Sequence, residues 1–330
     1  MMDKIRAIEE ALQPQQSTGL DDHEIDLSRE YPEPKYSLML SGVGTLPRGD
    51  IQAIKAKSKN GKSFLCTVFV ASIFGCNTFS FESKENNPTV LYFDTEQNKR
   101  NTAKLARRVH TLLGWNIKEN HEGFHAYSLR TMDTPERLPF IDEVITKRKP
   151  TAVFIDGIAD LIENFNDVEQ STDLINHLMR LSAENDCCLC CVLHTNKGKD
   201  DSGMKGHLGT MLLQKASDVF EVKKDGSNFR VTETDCRNQP IDDFAFSIDG
   251  HGIPFPSTTI AEDKKLERLE GIKKILKECF STSDVLNYTD LVNAYHENGA
   301  VSVPTAKRAV KDAKENDIIK LIPNEGYSMV

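Results

Sequence analysis

Residues 50–75 read DIQAIKAKSKNGKSFLCTVFVASIFG, and the order of elements within them decides the fold. Ile51 to Ile54 is a short apolar run suited to a buried strand. Gly61, Lys62 and Ser63 follow, and behind them lies an apolar segment of helical length. Strand, tight loop and helix in that order make a phosphate-binding P-loop. Backbone N–H groups of such a loop and of the helix N-terminus point at phosphate oxygens, Lys62 adds a point charge, and the Ser63 hydroxyl suits Mg²⁺. The nucleotide-binding set expected here is Ala56, Lys57, Ser58, Lys59, Asn60, Gly61, Lys62, Ser63 and Phe64. Gly61 lets the backbone come close to its ligand. Ala56 stands where the motif usually begins with glycine, so a narrowed phosphate loop is expected.

Outward from this stretch, strands and helices alternate. Thr89 to Asp94, TVLYFD, reads as a buried strand with Glu96 just beyond it, and Asn98 to Leu113 as a helix carrying Leu105, Val109 and Leu112 on one face. An acid at the carboxyl edge of a parallel sheet lies where ligands bind in open α/β folds, so Glu96 is a candidate base. It is equally readable as an acid complementing the dipole at a helix start. Thr151 to Asp156, TAVFID, ends in the carboxylate a P-loop site places beside its Mg²⁺. Cys187 to His194 returns to the sheet, leaving His194, Thr195 and Asn196 at its carboxyl end, where His194 is either structural or a sensor of the γ-phosphate. Further strands or helices are expected at Tyr36 to Leu40, His125 to Leu129, Pro139 to Lys147 and Thr172 to Asn185. Gly203 to Gly209, GMKGHLG, reads as a glycine-hinged loop before the strand pair Val219 to Lys223 and Phe229 to Thr234.

Composition sets bounds on these readings. The chain has 330 residues, 38% hydrophobic and 28% charged, with a formal net charge of −9. Its length predicts one large core plus a smaller domain. No apolar run reaches the ~20 residues that span a bilayer, and the acidic start MMDKIRAIEEALQ lacks the apolar stretch of a signal peptide. A cytoplasmic protein without a membrane partner is expected. Cys187, Cys188, Cys190 and Cys191 lie in one apolar strand, whose alternating faces suit small core residues better than a zinc site. The negative charge argues against coating nucleic acid over the whole surface but leaves room for a local basic groove.

Three segments are expected: residues 1–35, with a short helix over Asp3 to Leu12 and a polar linker; a nucleotide-binding P-loop domain over 36–258; and a C-terminal domain over 259–330. In the last, a charged helix with Leu266, Leu269, Ile272 and Leu276 on one face precedes two short helices, Thr289 to Tyr295 and Pro304 to Lys314. Two short strands around Pro323 to Gly326 give a hairpin signal. Three helices and a hairpin predict a winged helix-turn-helix. Lys307, Arg308, Lys311 and Lys314 would then face DNA from the recognition helix. Acids nearly balance bases over this domain, so protein docking remains an open alternative.

With these residues in view, Leu38 to Asp249 resembles the RecA-like P-loop ATPases, in particular the RepA-type hexameric replicative helicases of plasmids and mobile elements. The resemblance implies an α/β core with a mainly parallel sheet, hydrolysis of ATP with Mg²⁺, assembly into a ring and action on DNA. It makes Glu96 in VLYFDTEQ the catalytic base, acting with Lys62, and aligns Asp156 with the Mg²⁺-associated aspartate that works with Ser63. The strand-terminal histidine becomes His194. Lys205 in MKGHLG and Arg237 in CRNQP match the basic fingers that reach a neighbouring subunit's site, though lysine at 205 loses the bidentate contact of an arginine. An ATP-switched DNA-binding regulator or helicase loader is the alternative.

Overall fold

The computed structural model describes residues 24–195, 203–257, 259–281, 283–322 and 326–330, and the side chains of all these except 259–267. The helix expected at 3–12, Asn196 and the hairpin tip at 323–325 lie outside the described residues. The chain divides after Lys35 into two compact units. Of the first, residues 24–35 are turns and extended chain.

In the second unit, strands β1 (Tyr36–Leu40) and β2 (Val43–Pro47) form a hairpin, and β1 also pairs with β4 (Phe81–Ser83). The large sheet has nine strands. β3 (Ile51–Ala56), β5 (Val90–Asp94), β6 (Phe124–Ser128), β7 (Ala152–Asp156), β8 (Cys188–His194) and β9 (Asp218–Asp225) run parallel, in the spatial order β9-β3-β8-β7-β5-β6. β10 (Asn228–Cys236), β11 (Phe244–Ile248) and β12 (Pro254–Pro256) extend it antiparallel beyond β9. The fold is α/β with a mainly parallel sheet. β3, β5 and β7 are buried at every position, which is why they read as unbroken apolar runs: helices cover both faces of a parallel sheet.

Alternation across the sheet sorts the side chains into two cores. Ile54, Val90, Tyr92, Phe154, Cys188, Cys190 and Val192 join one core with helix α1 (Lys62–Ile73) and helix α2 (Lys99–Leu113). Ile51, Leu91, Phe93, Val153, Ile155, Leu189 and Cys191 join the other, with α3 (Thr134–Arg148), α4 (Val168–Glu184) and α5 (Gly206–Lys215). Helix α1 is buried on nearly all sides, between the large sheet and the β1-β2-β4 sheet, so it shows no polar stripe.

Three sequence expectations change. Helix α3 begins at Thr134, with Pro139 inside it rather than at its start; Asp133 is its N-cap residue and Pro135 occupies its first turn. The segment expected as a loop over 203–209 turns helical at Gly206, because Leu208 and Leu212, four residues apart, are both fully buried. The antiparallel strands β11 and β12 were not expected at all. Among the described residues no helix is long and apolar enough to cross a membrane.

After β12 come helices α6 (Thr259–Cys279), α7 (Tyr288–Asn298) and α8 (Val303–Glu315), then the antiparallel pair β13 (Ile319–Ile322) and β14 (Gly326–Met329). They share a third core built on Ile272, Leu276, Leu291, Val292, Ala306, Val310 and Ile319.

Candidate nucleotide-binding site

β3 delivers the chain to the loop 57–61 at its carboxyl end, and α1 carries it away from Lys62. Gly61 is the N-cap residue of α1, with φ +88°, a left-handed conformation that L side chains rarely adopt. A Cβ there would also lie 2.6 Å from Cδ1 of Phe229. Lys59 shares the left-handed region at φ +63°, at a cost of about 1–2 kcal/mol held in the loop. Ala56 stands where the motif usually begins with glycine. It closes β3 as a buried strand residue, outside the positive-φ set, and its carbonyl accepts the N–H of Thr195 at 3.1 Å. The backbone makes no demand for glycine at that position.

Four strand ends meet this loop. In register, Ala56 lies beside His194 across the β3/β8 pair, and Asp94 beside Asp156 across β5/β7. All four residues have the parity of the core that holds α1, so alternation turns their side chains toward the P-loop helix. Ser63 Oγ donates to Asp156 Oδ2 at 2.6 Å, and Lys62 Nζ donates to His194 Nδ1 at 2.6 Å. The His194 ring lies 3.3 Å, at Nε2, from Glu96 Oε1. With Nδ1 accepting from an ammonium, Nε2 carries the proton donated to the carboxylate. Lysine, histidine and glutamate therefore form one line of hydrogen bonds across the cleft.

Electrostatics follow this line. The hydrogen bond from His194 holds the Glu96 carboxyl below its ordinary range, with Lys62 and Lys205 acting in the same direction. Burial lowers the Lys62 ammonium, opposed by the charges of Asp156 and Glu96. Glu96 is not the first-turn acid of α2: Asn98 caps that helix through its own side chain, and the helix starts at Lys99. Its carboxylate instead faces the cleft, in contact with His194.

Two groups that sequence reasoning passed over support the site. Tyr92, read only as a strand residue, donates its hydroxyl to Asp156 Oδ2 at 2.6 Å from full burial. Asp94 accepts from the backbone N–H of Gln97 at 2.8 Å, from that of Glu96 at 3.2 Å and from Thr102 Oγ1 at 2.9 Å, which fixes the turn that presents Glu96. Both share the parity of Val90, the one signal that would have found them. Burial pushes the Asp94 carboxyl up to about 6. Its folded-state value lies above the unfolded one of about 3.9, so its stabilising contribution is complete below about pH 4 and is lost as pH rises through about 6. Asp94→Asn is therefore expected to flatten the pH dependence of urea unfolding across that window, by up to about 3 kcal/mol. An unchanged slope would refute the burial argument.

Of the remaining expected site residues, Arg237 and the cations of α8 lie away from this cleft. Lys205 precedes α5 with its ammonium 4.3 Å from the centroid of Phe165, and it acts on Glu96 of its own chain. Arg237 lies at the opposite edge of the sheet, donating to the Lys215 carbonyl at 2.8 Å and pairing with Asp50 at 3.6 Å. The six residues of β3 separate it from the P-loop, about 20 Å along the strand. Phe64 is covered by the Arg108 guanidinium at 4.1 Å from the ring centroid and packs against Phe229. Thr195 Oγ1 is buried without a hydrogen-bond partner among the described residues. Lys307, Arg308, Lys311 and Lys314 are exposed on α8.

A sequence profile described as AAA domain matches residues 14–200. No curated protein matches the chain. Among solved structures, one described as an ATPase domain aligns at 14% identity and a TM-score of 0.48, covering 64% of this chain and 86% of that one.

Proposed function

The chain belongs to the AAA domain family, and from that premise we propose that it is an ATP-hydrolysing, RecA-like motor of RepA type, working on DNA in the replication or mobilisation of a plasmid or mobile element. The observation that carries the proposal is the meeting of the ends of β3, β5, β7 and β8 at one loop, with Ser63 on Asp156 at 2.6 Å, Lys62 on His194 at 2.6 Å and His194 on Glu96 at 3.3 Å.

In this reading Ala56, the loop 57–61, Lys62, Ser63 and Phe64 receive the phosphates of ATP. Lys62 exchanges His194 for a phosphate oxygen. The Ser63 hydroxyl and Asp156 carboxylate, hard oxygen donors already in contact, fit Mg²⁺ and would hold it directly or through water. When bound, that ion neutralises charge on the phosphate oxygens. Glu96, ionised because His194 and Lys62 hold its carboxyl down, orients the attacking water and takes its proton. His194 touches both Lys62 and Glu96, so loss of the γ-phosphate changes its partners and carries the signal to the segment after β8. Lys205 and Arg237 complete the site of the next subunit in a hexameric ring, Arg237 leaving Asp50 to do so. The elements from α6 to β14 form a winged helix-turn-helix, with α8 as its DNA-facing helix.

Phosphate release from MgATP, measured with and without single-stranded DNA alongside the mass in solution with ATP, tests this reading. Turnover stimulated by DNA, from a ring that forms with ATP, is expected. Assembly and sequence-specific footprints without sustained turnover would favour an ATP-switched regulator or loader instead.

A further inference from the structure

The cations of α8 share a groove with two aromatic rings. Lys307, Arg308, Lys311 and Lys314 line a groove of about 400 Å³ together with Tyr288, Tyr327 and Val310. Lys307, Lys311 and Lys314 recur at intervals of four and three residues, which places them in one stripe along the helix. Tyr288 opens α7 and is 45% exposed. Its ring and that of Tyr327 are tilted at 54° with centroids 6.3 Å apart, so the two do not stack face to face.

The position of Tyr327 is fixed by the backbone. Leu286 N–H donates to the Tyr327 carbonyl at 3.0 Å, and Tyr327 N–H donates back to Leu286 at 2.8 Å, tying β14 to the segment before α7. Gly326, at φ +139°, allows this approach, since a Cβ there would lie 2.4 Å from the Leu286 carbonyl oxygen. Two acids of α8 are engaged: Asp312 pairs with Arg268 on α6, and Glu315 makes an exposed pair with Lys311 at 3.7 Å, which a phosphate can displace. A chain of net charge −9 thus presents a cationic groove with rings in it.

We infer that this groove binds single-stranded nucleic acid, with Tyr288 and Tyr327 stacking on unpaired bases while Lys307, Arg308, Lys311 and Lys314 follow the backbone phosphates. The inference deepens the DNA-directed reading above and rests on it for the class of ligand. Bases in a duplex are stacked on one another and offer only their edges to a protein. An aromatic face gains from a base only when that base is unpaired, and the gain is tolerant of sequence. Cations alone would suit either form; the tyrosines among them select the single strand.

Anisotropy of a labelled oligonucleotide with the full chain, without nucleotide, decides the matter. The unpaired DNA strand is expected to bind about ten-fold more tightly than its duplex. Tyr288→Ala should lose about ten-fold for the strand, and Tyr288→Phe should keep the affinity, since the ring and not the hydroxyl does the stacking. Replacing Lys307 and Lys311 by Gln should reduce the slope of log K against log salt by about 0.7 for each cation removed. An RNA strand of the same sequence, run in parallel, separates the two sources of unpaired bases. Preference for the duplex, or a Tyr288→Ala protein that melts and binds like the parent, overturns the inference. Photo-crosslinking separates it from the motor reading. Crosslinks confined to the nine-stranded sheet remove the groove and leave an ATPase intact. Crosslinks at Tyr288 in a chain that never hydrolyses ATP do the reverse.

Discussion

Lys62→Ala is expected to lower ATP turnover by at least about 10²–10³-fold, the usual cost of removing one preorganised charge donor from a site that stabilises developing negative charge. The lysine is buried beside Asp156 and Glu96, where burial and the two carboxylates oppose one another in setting its proton affinity. Its removal leaves both carboxylates facing a polyanionic substrate without that charge, so binding should suffer together with turnover. Thermal or urea unfolding provides the second readout. A ligand at a hundred times its dissociation constant stabilises the folded state by about 2.7 kcal/mol, and the Lys62→Ala protein should lose most of that shift while folding normally without nucleotide. Full turnover in this variant would end the P-loop assignment. Loss of turnover with the ligand shift intact would move Lys62 from binding to chemistry alone.

The centre of the fold was legible because a parallel sheet with helices on both faces writes itself as unbroken apolar strands. VLYFD and TAVFID end in carboxylates at the same edge, and the residue types at 62, 63, 156 and 194 meet as the strand-loop-helix order requires. Spacing along the chain does not reveal which strands are neighbours. That β8 lies between β3 and β7, bringing His194 against Lys62, is a matter of sheet order. Tyr92 escaped notice for a related reason: a tyrosine in an apolar run looks like core, and its hydroxyl acquires meaning only when β5 and β7 pair in register beside Asp156. Arg237 follows an antiparallel strand that carries the chain away from its own P-loop, and the charge of Lys205 reaches Glu96 of its own chain, neither of which spacing along the sequence reveals. Pro139 misled in the other direction. Proline usually opens a helix, and here Thr134 opens it while the apolar face through Ile141 and Ile145 outweighs the lost backbone donor.

Glu96→Gln should separate binding from chemistry. The amide keeps the size of the carboxylate and can still accept a hydrogen bond from His194, so the cleft geometry and the nucleotide-induced gain in stability should both persist. An amide has no comparable affinity for the proton of the attacking water, and turnover is expected to fall by about 10²–10⁴-fold, the range contributed by a positioned general base. Asp94 is the internal control. Its carboxylate is occupied by two backbone N–H groups and the Thr102 hydroxyl, and burial raises its proton affinity, so it holds the 95–97 turn and has no oxygen to offer a water. The Glu96 carboxyl, by contrast, is held below its ordinary value by the hydrogen bond from His194, so any acid limb from this group should have its midpoint below the ordinary glutamate range. Turnover of Glu96→Gln within a few-fold of the parent would return Glu96 to a structural role and leave the cleft without a base. Loss of nucleotide binding in the same variant would instead make the His194–Glu96 contact a determinant of the shape of the site, with Lys62 depending on it through His194.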